Sequence, residues 1–153
     1  MVIIRPARLA DIESLVELLQ MLFELEQDFE GNPSRQQQGL RMMLDNPNGC
    51  VLVAQGDGQV IGMCSGQLLI STAEGGPALL VEDVVVCESW RGRGVGRLLM
   101  EALSAWARDK KVNRLQLLAD RSNMAALEFY RCLGWQGTEL ICLRSCIGDE
   151  ACR

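Results

Sequence analysis

The chain has no histidine, a single tyrosine and only four prolines among its 153 residues. Without histidine, no Ser-His-Asp or Cys-His nucleophile system can be assembled. Acid–base chemistry falls instead to carboxylates, tyrosine, cysteine, lysine or the substrate itself. The seven cysteines, at positions 50, 64, 87, 132, 142, 146 and 152, include no C-x-x-C pair. With no histidine to complete a zinc site, no metal is expected, and the thiols read as reduced, mostly buried side chains of a cytoplasmic protein.

A positive charge balance and a long apolar run are also missing. The net charge of −5 argues against a general nucleic-acid binder, which needs a basic surface for phosphates. It suits a cationic small-molecule partner, although solubility alone also accounts for it. No apolar run approaches the roughly 20 residues of a membrane span, and "VIIRPA" after Met1 is too short for a signal-peptide core. Neither a membrane nor an export route is expected. The length corresponds to a single domain over residues 1–153, large enough to bury a two- or three-layer core.

The pattern along the chain is that of an α/β protein. "MVIIRPA" reads as a strand, and a helix follows from near Asp11 with Ile12, Leu15, Val16, Leu19, Leu22 and Phe23 on one face. "GNPS" breaks that helix, and a second covers about Arg35 to Leu44. "CVLVAQ" and "QVIGMCSGQLLIS" flank "GDG", a hairpin signal, and "ALLVEDVVV" is a strand rich in β-branched residues. A helix from Val95, a strand at "NRLQLLA", a helix at "NMAALEFYRCLG" and a strand at "TELICLRSCI" complete the order β-α-α-β-β-β-α-β-α-β. This order predicts a mixed central sheet, antiparallel at first, with a βαβ crossover around the glycines. Gly134 stands where a left-handed helix C-cap is expected.

"WRGRGVGRLLM" (Trp90 to Met100) places three glycines and three arginines between a strand and a helix. Glycine costs a regular element about 0.5–1 kcal/mol relative to alanine, so a compensating role is expected. Unpaired amides in a first helical turn, the helix dipole and close backbone approach together make an anion site. A P-loop is excluded, because no Lys-Ser or Lys-Thr follows the last glycine. The spacing of Gly92, Gly94 and Gly96 is not that of a dinucleotide fingerprint, although Asp120 stands at about the distance of a ribose reader.

"RGRGVG" matches the pyrophosphate loop R/Q-x-x-G-x-G/A at Arg91, Gly94 and Gly96. "NMAALEFYRCLGW" matches N-x-x-A-x-x-F-Y-x-x-x-G-F/W at Asn123, Ala126, Phe129, Tyr130, Gly134 and Trp135. With these motifs in this element order, the chain resembles the GNAT superfamily of acetyl-CoA-dependent N-acetyltransferases over nearly its whole length. The resemblance implies a cleft where two parallel strands, ending near Val86 and Ala119, splay apart to take acetyl-CoA as co-substrate. Amides of Arg91, Gly92, Arg93, Gly94, Val95, Gly96 and Arg97 would hold the pyrophosphate. Backbone groups of Val84, Val85 and Val86, with Asn123, would pair with the pantetheine arm, and Tyr130 would stand near the thioester sulfur.

Acetylation requires the neutral amine. A lysine-like amine at pH 7 lies about 3.4 pH units, or ~4.6 kcal/mol, from that form. Glu82 and Asp83 interrupt an apolar run, where burial raises a carboxylate pKa toward a base's working range. Strand alternation sends them to opposite faces unless a bulge intervenes, and the family is known for a bulge in this strand. Glu82 is expected as base or substrate anchor and Asp83 as its acceptor-site partner; solvated or arginine-paired acids are the plainer alternative. Tyr130 would return a proton to the leaving thiolate, against simple core packing of "FY". Cys87 borders the loop but is rejected as a nucleophile, since the family transfers acetyl directly and a small core residue is commonly Cys.

In such enzymes the first helices and their connection line the acceptor site. Here Glu24, Glu26, Asp28 and Glu30 would favour a cation, with Glu26 as the substrate-binding residue. The expected acceptor is a primary amine of a small molecule: a polyamine, an aminosugar phosphate or an amino-acid-like compound. A protein or peptide amine, and a non-catalytic acetyl-CoA-binding module, are the alternatives. Family members commonly end in two strands where about one fits here, so a second subunit could supply the pairing in a homodimer.

Overall fold

In the computed structural model, which describes residues 1–26 and 31–148, five strands form one mixed sheet in the order β1-β2-β3-β4-β5. The strands are β1 (Val2–Pro6), β2 (Gly49–Gly56), β3 (Gln59–Ser71), β4 (Gly76–Val86) and β5 (Leu115–Leu117). The first four pair antiparallel, and β5 runs parallel to β4. Helices α1 (Ile12–Leu25) and α2 (Pro33–Asp45) cover one face, and α3 (Val95–Asp109) covers the other. Helix α4 (Met124–Cys132) follows β5 and has no buried residue.

Local chemistry accounts for the turns. Asp57 and Gly58 both have positive φ, 49° and 78°, the backbone of the tight hairpin that "GDG" predicts. Gly134 adopts φ 90° just past α4, as expected of a left-handed cap. Asn32 caps α2 by accepting the Arg35 amide at 3.1 Å, with Pro33 at the first helical position. β2 shows the buried alternation: Cys50, Leu52 and Ala54 face the α3 side, while Val51 and Val53 face α1 and α2.

Two expectations are corrected. "TELICLRSCI" forms no strand; Leu140, Ile141, Leu143 and Ile147 are all strongly exposed. Its strand propensity has little ladder to join, because β5 is only 3 residues long. The thiols are also less uniform than expected. Cys50 and Cys64 are buried, but Cys132 and Cys142 are exposed and Cys146 is disulfide-bonded. Cys152 lies outside the described residues.

The entry to α1 is fastened by one ion pair. Arg5 on β1 donates to both Asp11 oxygens at 2.8 and 2.9 Å, and the Arg8 amide donates to Asp11 at 2.8 Å. Hydrogen bonding from Arg5 holds the Asp11 carboxyl below its ordinary pKa. A depressed folded-state pKa adds stability above the unfolded carboxylate pKa of about 3.9 and loses it as pH falls through the folded value. Asp11→Asn is expected to destabilise the protein by about 2–4 kcal/mol at pH 7 and by less at pH 3. Urea unfolding of both proteins at the two pH values measures this.

Candidate active site

β4 and β5 pair only at Leu79/Leu115, Leu80/Gln116 and Val81/Leu117. Beyond Val81, β4 runs on to Val86 with one edge bonded to β3, while β5 has ended. The cleft between them, about 80 Å³, is lined by Glu82, Asp83, Val84, Asp120, Asn123 and Tyr130, with Leu22 and Glu26 from the end of α1 on another wall.

A bulge in β4 shapes this cleft. Met63 pairs with Val85 and Ser65 with Glu82, so Cys64 alone faces both Asp83 and Val84. Asp83 takes φ 53°, a left-handed conformation uncommon for a residue other than glycine. The extra residue reverses the alternation: Leu79 and Val81 pack toward α3, yet Val85, of the same parity, packs toward α1 and α2. This is how two adjacent acids both reach one cleft, against the simple alternation rule. Glu82 is exposed, whereas Asp83 is half-buried.

The Ser65 hydroxyl donates to the Glu82 carbonyl at 3.1 Å and reaches the Asp83 carboxylate at 3.4 Å. Burial, reinforced by Glu82 and then Glu26, pushes the Asp83 carboxyl up to about 6, while the Ser65 contact opposes that rise. Burial pushes the Tyr130 phenol up to about 12, with Cys64 and Glu26 adding to it. At neutral pH the site thus offers a carboxylate poised as a base and a phenol that keeps its proton. Burial likewise raises the Cys87 thiol, which weakens any case for it as a nucleophile.

The glycine loop lies just beyond β4. A short 3-10 turn, Glu88–Trp90, leads into it, and α3 begins at Val95 with Gly94 as its N-cap. Gly92 and Gly94 have φ 73° and 79°, and a Cβ on either would meet nothing within 4 Å. The backbone is therefore left-handed and uncovered, a cradle above the first-turn amides of a 15-residue helix. Val95, 1% exposed, anchors that turn in the core. The Arg91 Nε donates to the Val86 carbonyl at 2.9 Å, and the Arg93 guanidinium lies 5.1 Å from the Trp90 ring centroid. Both arginines are thereby held against the loop, and Arg97 lies in the first turn of α3.

Asn123 lines the cleft but also caps α4, its Oδ1 accepting the Ala126 amide at 3.1 Å. Asp120 accepts from both the amide and hydroxyl of Ser122, at 2.9 and 2.6 Å, which turns it into its own loop. Of the acids expected at the acceptor site, Glu26 lines the cleft and Glu24 does not, while Asp28 and Glu30 lie outside the described residues. Ser65 had no sequence signal as a site residue, and Phe129 stood in the Asn123–Trp135 motif without an assigned role. Ser65 reaches the acids only because of the shifted register, and Phe129 meets the loop only through the packing of α4.

Comparison with known proteins agrees with this geometry. The family model of the acetyltransferase (GNAT) family matches residues 13–135. The aminoglycoside N(6')-acetyltransferase type 1 of Stenotrophomonas maltophilia is 29% identical over 106 residues, covering 67% of this chain and 69% of the relative. N-alpha-acetyltransferase 80 of Mus musculus is 49% identical over 59 residues, covering 39% of this chain but only 18% of that protein's length. Among solved structures, an acetyltransferase of Trypanosoma brucei superposes with a TM-score of 0.76 at 25% identity, covering 95% of this chain and all of its own. With a cleft, a glycine loop and a family model that coincide on the same residues, the chain belongs to the GNAT acetyltransferase family and is an acyltransferase.

Proposed function

We propose that the protein moves an acetyl group directly from acetyl-CoA to a primary amine of a small cationic molecule. The observation that carries the acceptor half is the presence of Glu26, Glu82 and Asp83 on one cleft beside the splayed strands. Three carboxylates there favour a cation, and Glu82 and Glu26 help to raise the Asp83 pKa, so the group that takes the proton and the groups that hold the charge can be different residues. The resemblance in sequence to an aminoglycoside acetyltransferase supports a small polyamine-like acceptor. A peptide α-amine is the second reading, favoured by the N-alpha-acetyltransferase relative.

For the donor, the uncovered left-handed backbone at Gly92 and Gly94 fits a pyrophosphate. The amides from Arg91 to Arg97 would hold it, and the open edge of Val84 to Val86 with Asn123 would take the pantetheine arm. Acetyl-CoA supplies an activated acyl thioester, so this chain has to orient the amine, take its proton and meet the negative charge that leaves.

Asp83 takes the proton in this reading, and Glu82 keeps only the second of the two roles expected of it from sequence, an anchor for the acceptor. The reason is the bulge, which half-buries Asp83 beside Glu82 and Glu26 and leaves Glu82 exposed. Tyr130 keeps its proton and donates a hydrogen bond to the departing thiolate. With its pKa near 12, well above the roughly 8.5 of a thiol, complete transfer of that proton is uphill.

An amine panel with acetyl-CoA, read by released CoA thiol, tests the assignment. Polyamines and aminosugars are expected to turn over and N-terminal peptides to stay near background; the opposite ranking would establish the second reading. The best amine is expected to show kcat/KM rising with pH through about 6, as Asp83 loses its proton. Asp83→Asn should remove that limb and lower turnover about 100-fold or more. Tyr130→Phe should lower kcat about 10- to 100-fold, the value of a hydrogen bond to a charged group, while KM for acetyl-CoA stays nearly constant. Pre-steady-state and steady-state assays of that variant distinguish the two constants.

A further inference from the structure

The third glycine of the loop is not required by its backbone. Gly92 and Gly94 have positive φ, but Gly96 does not and sits inside the first turn of α3. Helix interiors disfavour glycine, so its presence calls for a steric cause. A Cβ at Gly96 would stand 3.0 Å from Cε1 and Cζ of Phe129, tighter than an ordinary carbon contact. Gly96 makes room for an aromatic ring from α4, whatever its amide does for an anion.

That contact matters because little else fastens α4. No residue of the helix is fully buried. Its neighbours in the core are partly buried apolar side chains, Phe129 and Tyr130 on the helix with Leu133 and Trp135 just past it. The rings form a chain, with Phe129 edge-on to Tyr130 at 5.1 Å and Tyr130 tilted against Trp135 at 5.6 Å. Phe129 rests on the first turn of α3, and the next residue, Tyr130, lines the cleft.

We propose that Phe129, resting on Gly96, is a positioning residue that sets where α4 lies and so where the Tyr130 hydroxyl stands in the cleft. Phe129 makes no contact with substrate in this account and acts through Tyr130; its catalytic consequence rests on the role of Tyr130 proposed above. It also brings the start of α3 against the leaving-group side of the cleft. A side chain at position 96 would push on the Phe129 ring from the donor end of the cleft.

The test is a double-mutant cycle of Gly96→Val and Phe129→Ala, read in two ways. In the free protein, hydrogen exchange of the α4 amides is expected to speed up in Gly96→Val and in Phe129→Ala, and to be little faster in the double variant than in the faster single variant. In turnover, Gly96→Val and Phe129→Ala are each expected to lower kcat about tenfold or more, with a smaller change in KM for acetyl-CoA, and the double variant to fall little below the worse single variant. In a Tyr130→Phe background, Gly96→Val should have little further effect on kcat. Additive effects in both exchange and kcat would overturn the inference. Coupling in exchange with additive effects on kcat would support the positioning contact and overturn the proposed role of Tyr130, so the two failures are told apart.

Discussion

Most of the site depends on one irregularity, the bulge at Asp83 and Val84 opposite Cys64. A residue other than glycine held at positive φ costs on the order of 1–3 kcal/mol, and the surrounding sheet must hold it there. Buried neighbours on both faces do so, with Cys64 and Met63 at 0% exposure on β3 and Val85 at 5% on β4. In return, the side-chain alternation of β4 reverses at the bulge. Val85 packs under α1, Val84 lines the cleft, and Asp83 is half-buried within reach of Ser65. The perturbed carboxyl and the two-acid cleft are both consequences of that extra residue.

The divergence of β4 and β5 adds the second requirement, an open strand edge next to a helix N-terminus. Pairing stops at Val81, so the remaining β4 edge is available to an extended ligand, and the same strand runs directly into the loop that starts α3. Val95 and Trp90 root the loop in the core, while Arg91 and Arg93 are held by Val86 and Trp90. Preorganisation of this kind lowers the ordering cost of binding, and a fixed donor site leaves binding energy for the alignment of two reactants. The cationic character suggested for the acceptor comes from the opposite wall, where α1 ends at the cleft beside Glu26.

Much of this was legible in the chain because the signals were local. The hairpin at Asp57–Gly58, the cap at Gly134, the glycine loop and the motif from Asn123 to Trp135 each depend on a few adjacent residues whose backbone needs are specific. The same was true of the two acids inside an apolar strand. Their relative orientation was legible only through the resemblance to a family with a bulge in this strand, because a bulge is a property of register between strands, and alternation alone assigns them opposite faces. Gly96 shows the same limit: its neighbours suggest an anion, whereas its nearest side chain is Phe129 from a distant segment. At the C-terminal end, the segment expected as a strand joins none of the five strands among the described residues, since propensity does not provide a ladder.

The proposed donor site is the cradle of Gly92 and Gly94 at the start of α3. Isothermal titration of acetyl-CoA into the wild-type protein and into Gly94→Asp tests it most directly, because the substitution places strain and negative charge in an otherwise open turn. Stoichiometric binding to the wild type, weakened at least about tenfold in the variant, is the predicted result. Equal affinity for the two proteins, with the variant fully folded, would contradict it.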